Sequence, residues 1–386
     1  MYPKRILHVL TSMTRGGAEN MVMNYYRAID RTRVQFDFLL HRDEKSAFED
    51  EIISLGGKIY KIPPITPKNY FLHQKVLNTF FKNHPEYQIV HSHLNALSYF
   101  ILKASKKRAI PIRIAHSHTS IEPFYKKIFI KNTDLKTTVK DTIQSIIRYK
   151  VPKYATHYYS CGIKAGKWLF GSKNKEVTVI NNAIDASLFT YDPIKSLKAK
   201  KTFNINGKIA IGHVGNFVEA KNHSFIIKIF HELLLIKNNF VLVLVGYGYY
   251  GSKIEKEVIA LKLEQNICYL GVREDIPNIL QAFDLFLFPS LYEGLPVTLI
   301  EAQASGLKII ASDTITKEVA ITELITFCSL RKSEKEWAEL IIKNLEYTRR
   351  NTFQEIVDGN YDIFQNSEKL QEFYLNQPTC AESMDL

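Results

Sequence analysis

The chain has 386 residues, 46% of them apolar and 23% charged, enough for roughly two to three domains with buried cores, which excludes a largely disordered protein. No apolar run reaches the roughly 18 to 20 residues of a membrane helix, and the opening stretch 1–10 is too short in apolar residues for a secretory signal. Cys161, Cys268, Cys328 and Cys380 stand far apart without a C-x-x-C pair, so neither a zinc ribbon nor a disulfide framework is expected, and the reading is a soluble cytoplasmic protein.

The formal charge of +12 is unevenly spread. Residues 1–185 carry 30 basic and 14 acidic side chains, residues 186–386 carry 21 and 25, and residues 103–175 alone hold 17 and 3. A bias confined to one segment implies a local anionic partner: a nucleic acid, an anionic membrane surface or a phosphorylated substrate.

In chain order, apolar runs rich in β-branched residues read as buried parallel strands at 6–10, 35–40, 89–91, 112–115, 157–160 and 177–180. A second series follows at 209–214, 240–245, 267–270, 285–288 and 308–311, with longer amphipathic segments between the runs. Strands this apolar are covered by helices on both faces, so the expected fold is α/β, with two doubly wound Rossmann-like domains and a crevice between them. Asn181–Asp185 and the lysine-rich stretch after it divide the two series. In such sheets ligands bind beyond the carboxyl ends of the strands, which selects the loops to inspect.

After the first run, Gly16 and Gly17 open a helix. Backbone N–H groups there can approach an anion, or the pair can serve a turn that needs a positive φ. Gly246-x-Gly248-x-x-Gly251 follows a strand and has Glu274 and Asp275 downstream. That is the dinucleotide fingerprint and supports an NAD-dependent rival, although it begins the second strand of its domain instead of the first. Two H-x-H pairs, His91/His93 and His116/His118, end strands. They suit a metal hydrolase only with further ligands, which the neighbouring sequence does not offer, so no metal is expected; these histidines read as structural or substrate-contacting, with His118 the better cleft candidate because a polar loop follows it. The most informative stretch is Phe288–Ala302, a strand, a loop with Gly294-Leu295-Pro296, and a helix, carrying Glu293 and Glu301 eight residues apart. Carboxylates accept hydrogen bonds from paired sugar hydroxyls, and the backbone at a helix start donates to phosphate.

Taken together, R-G-G-A-E (15–19), H-S-H-T-S (116–120), V-I-N-N-A-I-D (179–185), V-G-N-F-V-E-A-K-N-H (214–223) and E-G-L-P-V-T-L-I-E-A-Q-A-S-G (293–306) resemble a retaining glycosyltransferase of family 4 with the GT-B fold. The resemblance spans essentially the whole chain and is nearest the exopolysaccharide and capsular polysaccharide group. It implies an N-terminal acceptor-side domain (1–185), a C-terminal nucleotide-sugar domain (186–350) and a tail (351–386) returning to the first domain. It further implies that Gly16 and Gly17 lie against the donor diphosphate or the acceptor. His118 would line the catalytic centre, Lys221 would neutralise the diphosphate, and Glu293 with the amides of Gly294, Leu295 and Pro296 would hold the sugar. Glu301 would bind the ribose and Arg273 the base. The implied donor is a nucleotide sugar, UDP-linked, with no further cofactor and no metal. One departure stands out: Asn216 occupies the place of an arginine, and asparagine lacks the charged fork that phosphate prefers. A second is Asn182-Ala183 in place of Asn-Gly, which stiffens the junction.

Within 121–150, Ile128, Leu135, Val139, Ile143 and Ile146 keep helical spacing beside Lys127, Lys131, Lys136 and Lys140. A basic amphipathic helix can lie in a membrane interface, which would bring the enzyme peripherally to the inner face of the membrane and to a lipid-linked saccharide acceptor. The aromatic interleaving of a nucleic-acid groove is thin, so no nucleic acid is expected. The alternative is a catalytically weak nucleotide-sugar-binding or scaffold subunit of a polysaccharide assembly complex, suggested by Asn216.

Overall fold

The computed structural model describes residues 2–119, 142–248 and 251–378, and the chain divides into two compact units. The first comprises the chain through Ala183 and the segment from Ile363. Its strands are β1 (Lys4–Leu10), β2 (Val34–Leu40), β3 (Ile59–Lys61), β4 (Ile89–Ser92), β5 (Ile112–Ser117), β6 (His157–Ser160) and β7 (Val177–Val179). They form one parallel sheet in the order β3-β2-β1-β4-β5-β6-β7. Successive residues face opposite ways, so Ile6 and Leu10 enter one core while Leu7 and Val9 enter the other. Helices Gly17–Ala28 and Ile363–Leu375 cover the first face through Tyr25, Tyr26, Leu370 and Tyr374. Helices Tyr70–Asn83 and Ser98–Lys107 cover the second.

The second unit, Ile184–Asp362, contains β8 (Ile209–Val214), β9 (Phe240–Val245), β10 (Ile267–Gly271), β11 (Leu285–Phe288), β12 (Lys308–Ser312) and β13 (Ile325–Cys328). They lie parallel in the order β10-β9-β8-β11-β12-β13. In each unit the strand order reverses beside the first strand, at β1/β4 and at β8/β11. Loops there splay apart at the carboxyl ends and leave room for a ligand.

Every run read as a strand is one. Two short edge strands, β3 and β13, were not expected: three and four residues long and mostly half-buried, they lack the unbroken apolar run that marks a central strand. Residues 351–362, assigned from the sequence to a returning tail, stay with the second unit, where Ile356 is in the core. The return begins at Ile363 and is anchored where Lys4 Nζ donates to the carbonyls of Leu375 (3.2 Å) and Gln377 (2.6 Å). At the junction the Ala183 methyl is buried in the first unit's core, so alanine there fills packing space. Among the described residues no helix is long and apolar enough to cross a membrane. Lys127, Lys131, Lys136 and Lys140 lie outside the described residues.

Candidate functional site

In the second unit the switch between β8 and β11 brings two loops together. After β8 a short turn, Glu219–Lys221, ends at Asn222, whose φ of 57° is left-handed. Asn222 Nδ2 donates to the Pro289 carbonyl (3.2 Å), and Leu291 N donates to the Ala220 carbonyl (2.8 Å). These bonds carry Lys221 to Glu293, with Nζ 2.7 Å from Oε1 and side chains only 17% and 16% exposed. The ammonium also lies 4.7 Å from the centroid of the Phe288 ring, a cation–π contact. A half-dry, matched ion pair at the strand ends is suited to exchanging its partner for a phosphate.

Pro296 caps helix Val297–Ala304 with an extended backbone; Leu299 N donates to the Pro296 carbonyl (3.1 Å), and the N–H groups of Val297 and Thr298 have no intrahelical acceptor. Ser290 Oγ and Thr298 Oγ1 are buried there without hydrogen-bond partners. Gly294 faces open space, since a Cβ built on it meets nothing within 4 Å. Two turns on, Glu301 meets no cation among the described residues, and burial pushes its carboxyl up to about 7. Lys221, Glu293, Gly294, Leu295, Pro296 and Glu301 thus share the second unit's strand-end region. Asn216 follows Gly215, where a Cβ would lie 3.1 Å from Lys221 Cε, so its loop adjoins Lys221. Asn216 is exposed, and the Arg273 guanidinium is held by both Asp275 oxygens at 2.7 and 2.8 Å.

The glycine fingerprint has a different cause from the one its pattern suggests. Gly246 sits at φ 137°, and a Cβ there would fall on the Gly215 carbonyl; at Gly248 it would lie 2.5 Å from the Phe217 carbonyl oxygen. Gly215 N and Phe217 N bond to the carbonyls of Val245 and Tyr247 at 2.9 and 3.1 Å. The glycines let the β8 and β9 loops touch. Gly246→Ala therefore strains a left-handed position and meets backbone, and we expect a loss of about 1–3 kcal/mol on denaturant unfolding.

In the first unit Gly16 is the N-cap of helix Gly17–Ala28 with φ −84°, and neither it nor Gly17 has a positive φ. The turn itself does not demand glycine. A Cβ on Gly17 meets nothing within 4 Å, and one on Gly16 meets only the flexible Glu19 side chain. Gly17 leaves open space at the strand end, while Gly16 lies against the Glu19 carboxylate.

His8, His91 and His116 share one face of β1, β4 and β5, the face with Ile6, Ile89 and Ile114. His8 Nδ1 lies 3.0 Å from His93 Nε2, and His93 Nδ1 lies 2.8 Å from His118 Nε2. His91 Nε2 meets His116 Nδ1 at 3.1 Å, and His91 Nδ1 meets the Tyr374 hydroxyl at 2.6 Å. Asn95, itself at φ 51°, accepts from the His118 backbone N–H at 2.8 Å and sets the loop. Burial pushes His8 and His118 down to about 3 and holds His91, His93 and His116 well below the ordinary imidazole range. All five rings are neutral at pH 7. His8, Asn95 and Tyr374 escaped the sequence reading because no local motif contains them. The available signal was the strand register, with a histidine at the same parity near the end of three adjacent strands.

On the outside of this unit Tyr70, Phe71, Lys103, Lys106, Lys107 and Tyr154 line a cavity of about 480 Å³. Phe71 is 86% exposed, and Lys103 and Lys106 lie over the rings of Tyr99 and Tyr154.

Residues 15–188 match the model of "Glycosyltransferase Family 4" and residues 195–355 that of "Glycosyl transferases group 1". The chain is 38% identical over 382 residues to the glycosyltransferase EpsF of Bacillus subtilis (strain 168), covering 96% of each chain. It is 25% identical to the capsular polysaccharide biosynthesis glycosyltransferase CapH of Staphylococcus aureus, over 97% of this chain and 99% of CapH. It is 28% identical to the N,N'-diacetylbacillosaminyl-diphospho-undecaprenol alpha-1,3-N-acetylgalactosaminyltransferase of Campylobacter jejuni subsp. jejuni serotype O:2, over 65% of this chain and 64% of that one. In fold it matches Anabaena Alr3699/HepE, solved with UDP, with a TM-score of 0.76 at 18% identity over 96% of this chain and 99% of that one. Each unit is thus one half of a GT-B fold.

Proposed function

We propose, for a chain that belongs to the glycosyltransferases of family 4 and group 1, that it moves a hexose from a UDP-linked donor to a lipid-linked saccharide in exopolysaccharide or capsule assembly. The observation that carries this reading is the Lys221–Glu293 pair at the mouth of helix Val297–Ala304, with the half-buried Glu301 two turns along. The diphosphate takes the Lys221 ammonium and the N–H groups of Val297 and Thr298 at the helix start, and two ribose hydroxyls donate to Glu301. Glu293, released from Lys221, accepts from a hydroxyl of the sugar. Gly294 leaves the space that the sugar needs. The names of the Staphylococcus and Campylobacter relatives support a capsule pathway and a diphospholipid acceptor.

The transfer proceeds with retention and without a resident metal. The bond from the anomeric carbon to the diphosphate oxygen breaks as charge builds on the phosphate, which Lys221 stabilises. The acceptor oxygen bonds to the same face of the sugar, and its proton passes to the departing phosphate. The first unit supplies His118 as a neutral hydrogen-bonding group to a sugar hydroxyl. Its basic surface, with Lys103, Lys106, Lys107 and the exposed Phe71, suits a peripheral position on an anionic leaflet at the cytoplasmic face of the membrane. Nothing in this chemistry calls for nucleic acid.

The test is UDP release and product formation from UDP-sugars with a polyprenyl-diphosphate saccharide, in the presence of EDTA, with the product anomer read by NMR. Turnover with the donor's anomeric configuration kept is expected; an inverted anomer, or loss of turnover on chelation, contradicts the reading. A second reading, a catalytically weak subunit, is favoured by the exposed Asn216 in place of an arginine. A large rise in turnover for Asn216→Arg supports an impaired phosphate site, and unchanged turnover removes that reading.

A further inference from the structure

The first unit gathers more imidazole than a single sugar contact requires. Ring nitrogens of His93, His116 and His118 lie within 4.8 Å of one another, and we propose that these three side chains bind a divalent transition-metal ion. His116 Nδ1 is tied to His91, which leaves its Nε2 buried without a partner. His93 Nε2 is tied to His8, so its Nδ1 faces His118 Nε2, while His118 Nδ1 is also unpartnered. Buried polar atoms without partners are uncommon and ask for an explanation. The far nitrogens of His93 and His116 are already held in the manner of metal-bound imidazoles, by His8 and by His91, with His91 fixed in turn by the Tyr374 hydroxyl.

Size and chemistry agree with this. A tetrahedral ion with bonds of roughly 2.0–2.1 Å spaces its nitrogens about 3.3 Å apart. The 2.8 Å contact between His93 and His118 opens by about half an ångström, and the other spacings, within 4.8 Å, close toward the same value by ring rotation. Three imidazoles, neutral through burial, suit zinc, cobalt, nickel or copper and not magnesium or calcium. A neighbouring trio, His8, His91 and His93, also has ring nitrogens that close. Its members are only 1–6% exposed and leave an ion no entry. His118 is partly exposed at the strand end and supplies one.

An ion here occupies the ring that the transfer reading gives to a sugar hydroxyl, so metal binding inhibits transfer, a consequence that rests on that reading. The test is titration of the purified full chain with Co²⁺, followed by visible absorption and by thermal melting. The expected result is one ion per chain with intense tetrahedral bands, a raised Tm, and reversal by EDTA. His116→Ala and His93→Ala should each weaken binding by at least the roughly tenfold that loss of an outer partner costs, whereas the surface variant His231→Ala leaves it unchanged. Should His116→Ala fail to fold, His116→Gln keeps most of the volume and gives the same readout. Absence of saturable Co²⁺ binding by the natural chain, or binding unaltered in the His93 and His116 variants, overturns the proposal. Binding without inhibition by Zn²⁺ upholds the metal site and counts against the role given to His118.

Discussion

Replacing Lys221 with alanine lowers turnover by roughly 10²–10³, the scale seen when one donor to a developing oxyanion is lost. The geometry makes the change harsher than removal of a surface charge. Lys221 and Glu293 are held 2.7 Å apart and mostly buried, so Lys221→Ala leaves a half-dry carboxylate facing the incoming diphosphate, with repulsion added to lost attraction. Glu293→Gln should behave in the opposite sense. It leaves Lys221 without its neutralising partner, so UDP binds as tightly or more tightly, while turnover of the UDP-sugar falls because the sugar loses its acceptor. The pair of variants separates charge balance from sugar positioning when Kd for UDP and kcat are measured together. Equal losses of UDP affinity in both variants would show the pair to be structural only.

The second large effect is a dependence of donor affinity on pH. Burial pushes the Glu301 carboxyl up to about 7, above the ordinary range near 4.3. Hydroxyls donating to this group favour its ionised form, so the bound state has the lower pKa and binding releases a proton near neutral pH. UDP-glucose, whose diester phosphates keep constant charge here, should bind roughly tenfold more weakly for each unit below about pH 7, and evenly above it. For the ligand-free protein the sign is opposite. A carboxyl whose folded pKa lies above its unfolded value holds its proton more firmly when folded, so stability falls as pH rises from about 4.3 to about 7 and then levels. Glu301→Gln removes both dependences and weakens nucleotide binding at pH 8. Calorimetric titrations in buffers of different ionisation enthalpy count the released proton directly.

The sequence was most readable where chemistry is local. The stretch with Glu293 and Glu301 lies on one strand, loop and helix, so those three elements could be read from contiguous residues. Central strands were readable because burial on both faces requires an unbroken apolar run. The edge strands β3 and β13 carry no such demand and left no mark. The two H-x-H pairs were legible, but their union was not: His8, His91 and His116 become neighbours only through strand register, and Tyr374 reaches His91 from 283 residues away. The glycine pattern at Gly246 and Gly248 matches a dinucleotide fingerprint, yet there glycine serves a contact between two loops. The bond of Arg273 to Asp275, two residues on, carries no sequence pattern that would announce it.

A crystal soaked with UDP tests the central claim most directly. The account predicts the ribose hydroxyls within hydrogen-bond distance of the Glu301 carboxylate and the diphosphate against Lys221 Nζ and the first turn of helix Val297–Ala304. Nucleotide bound with either side chain turned away from it would contradict the account.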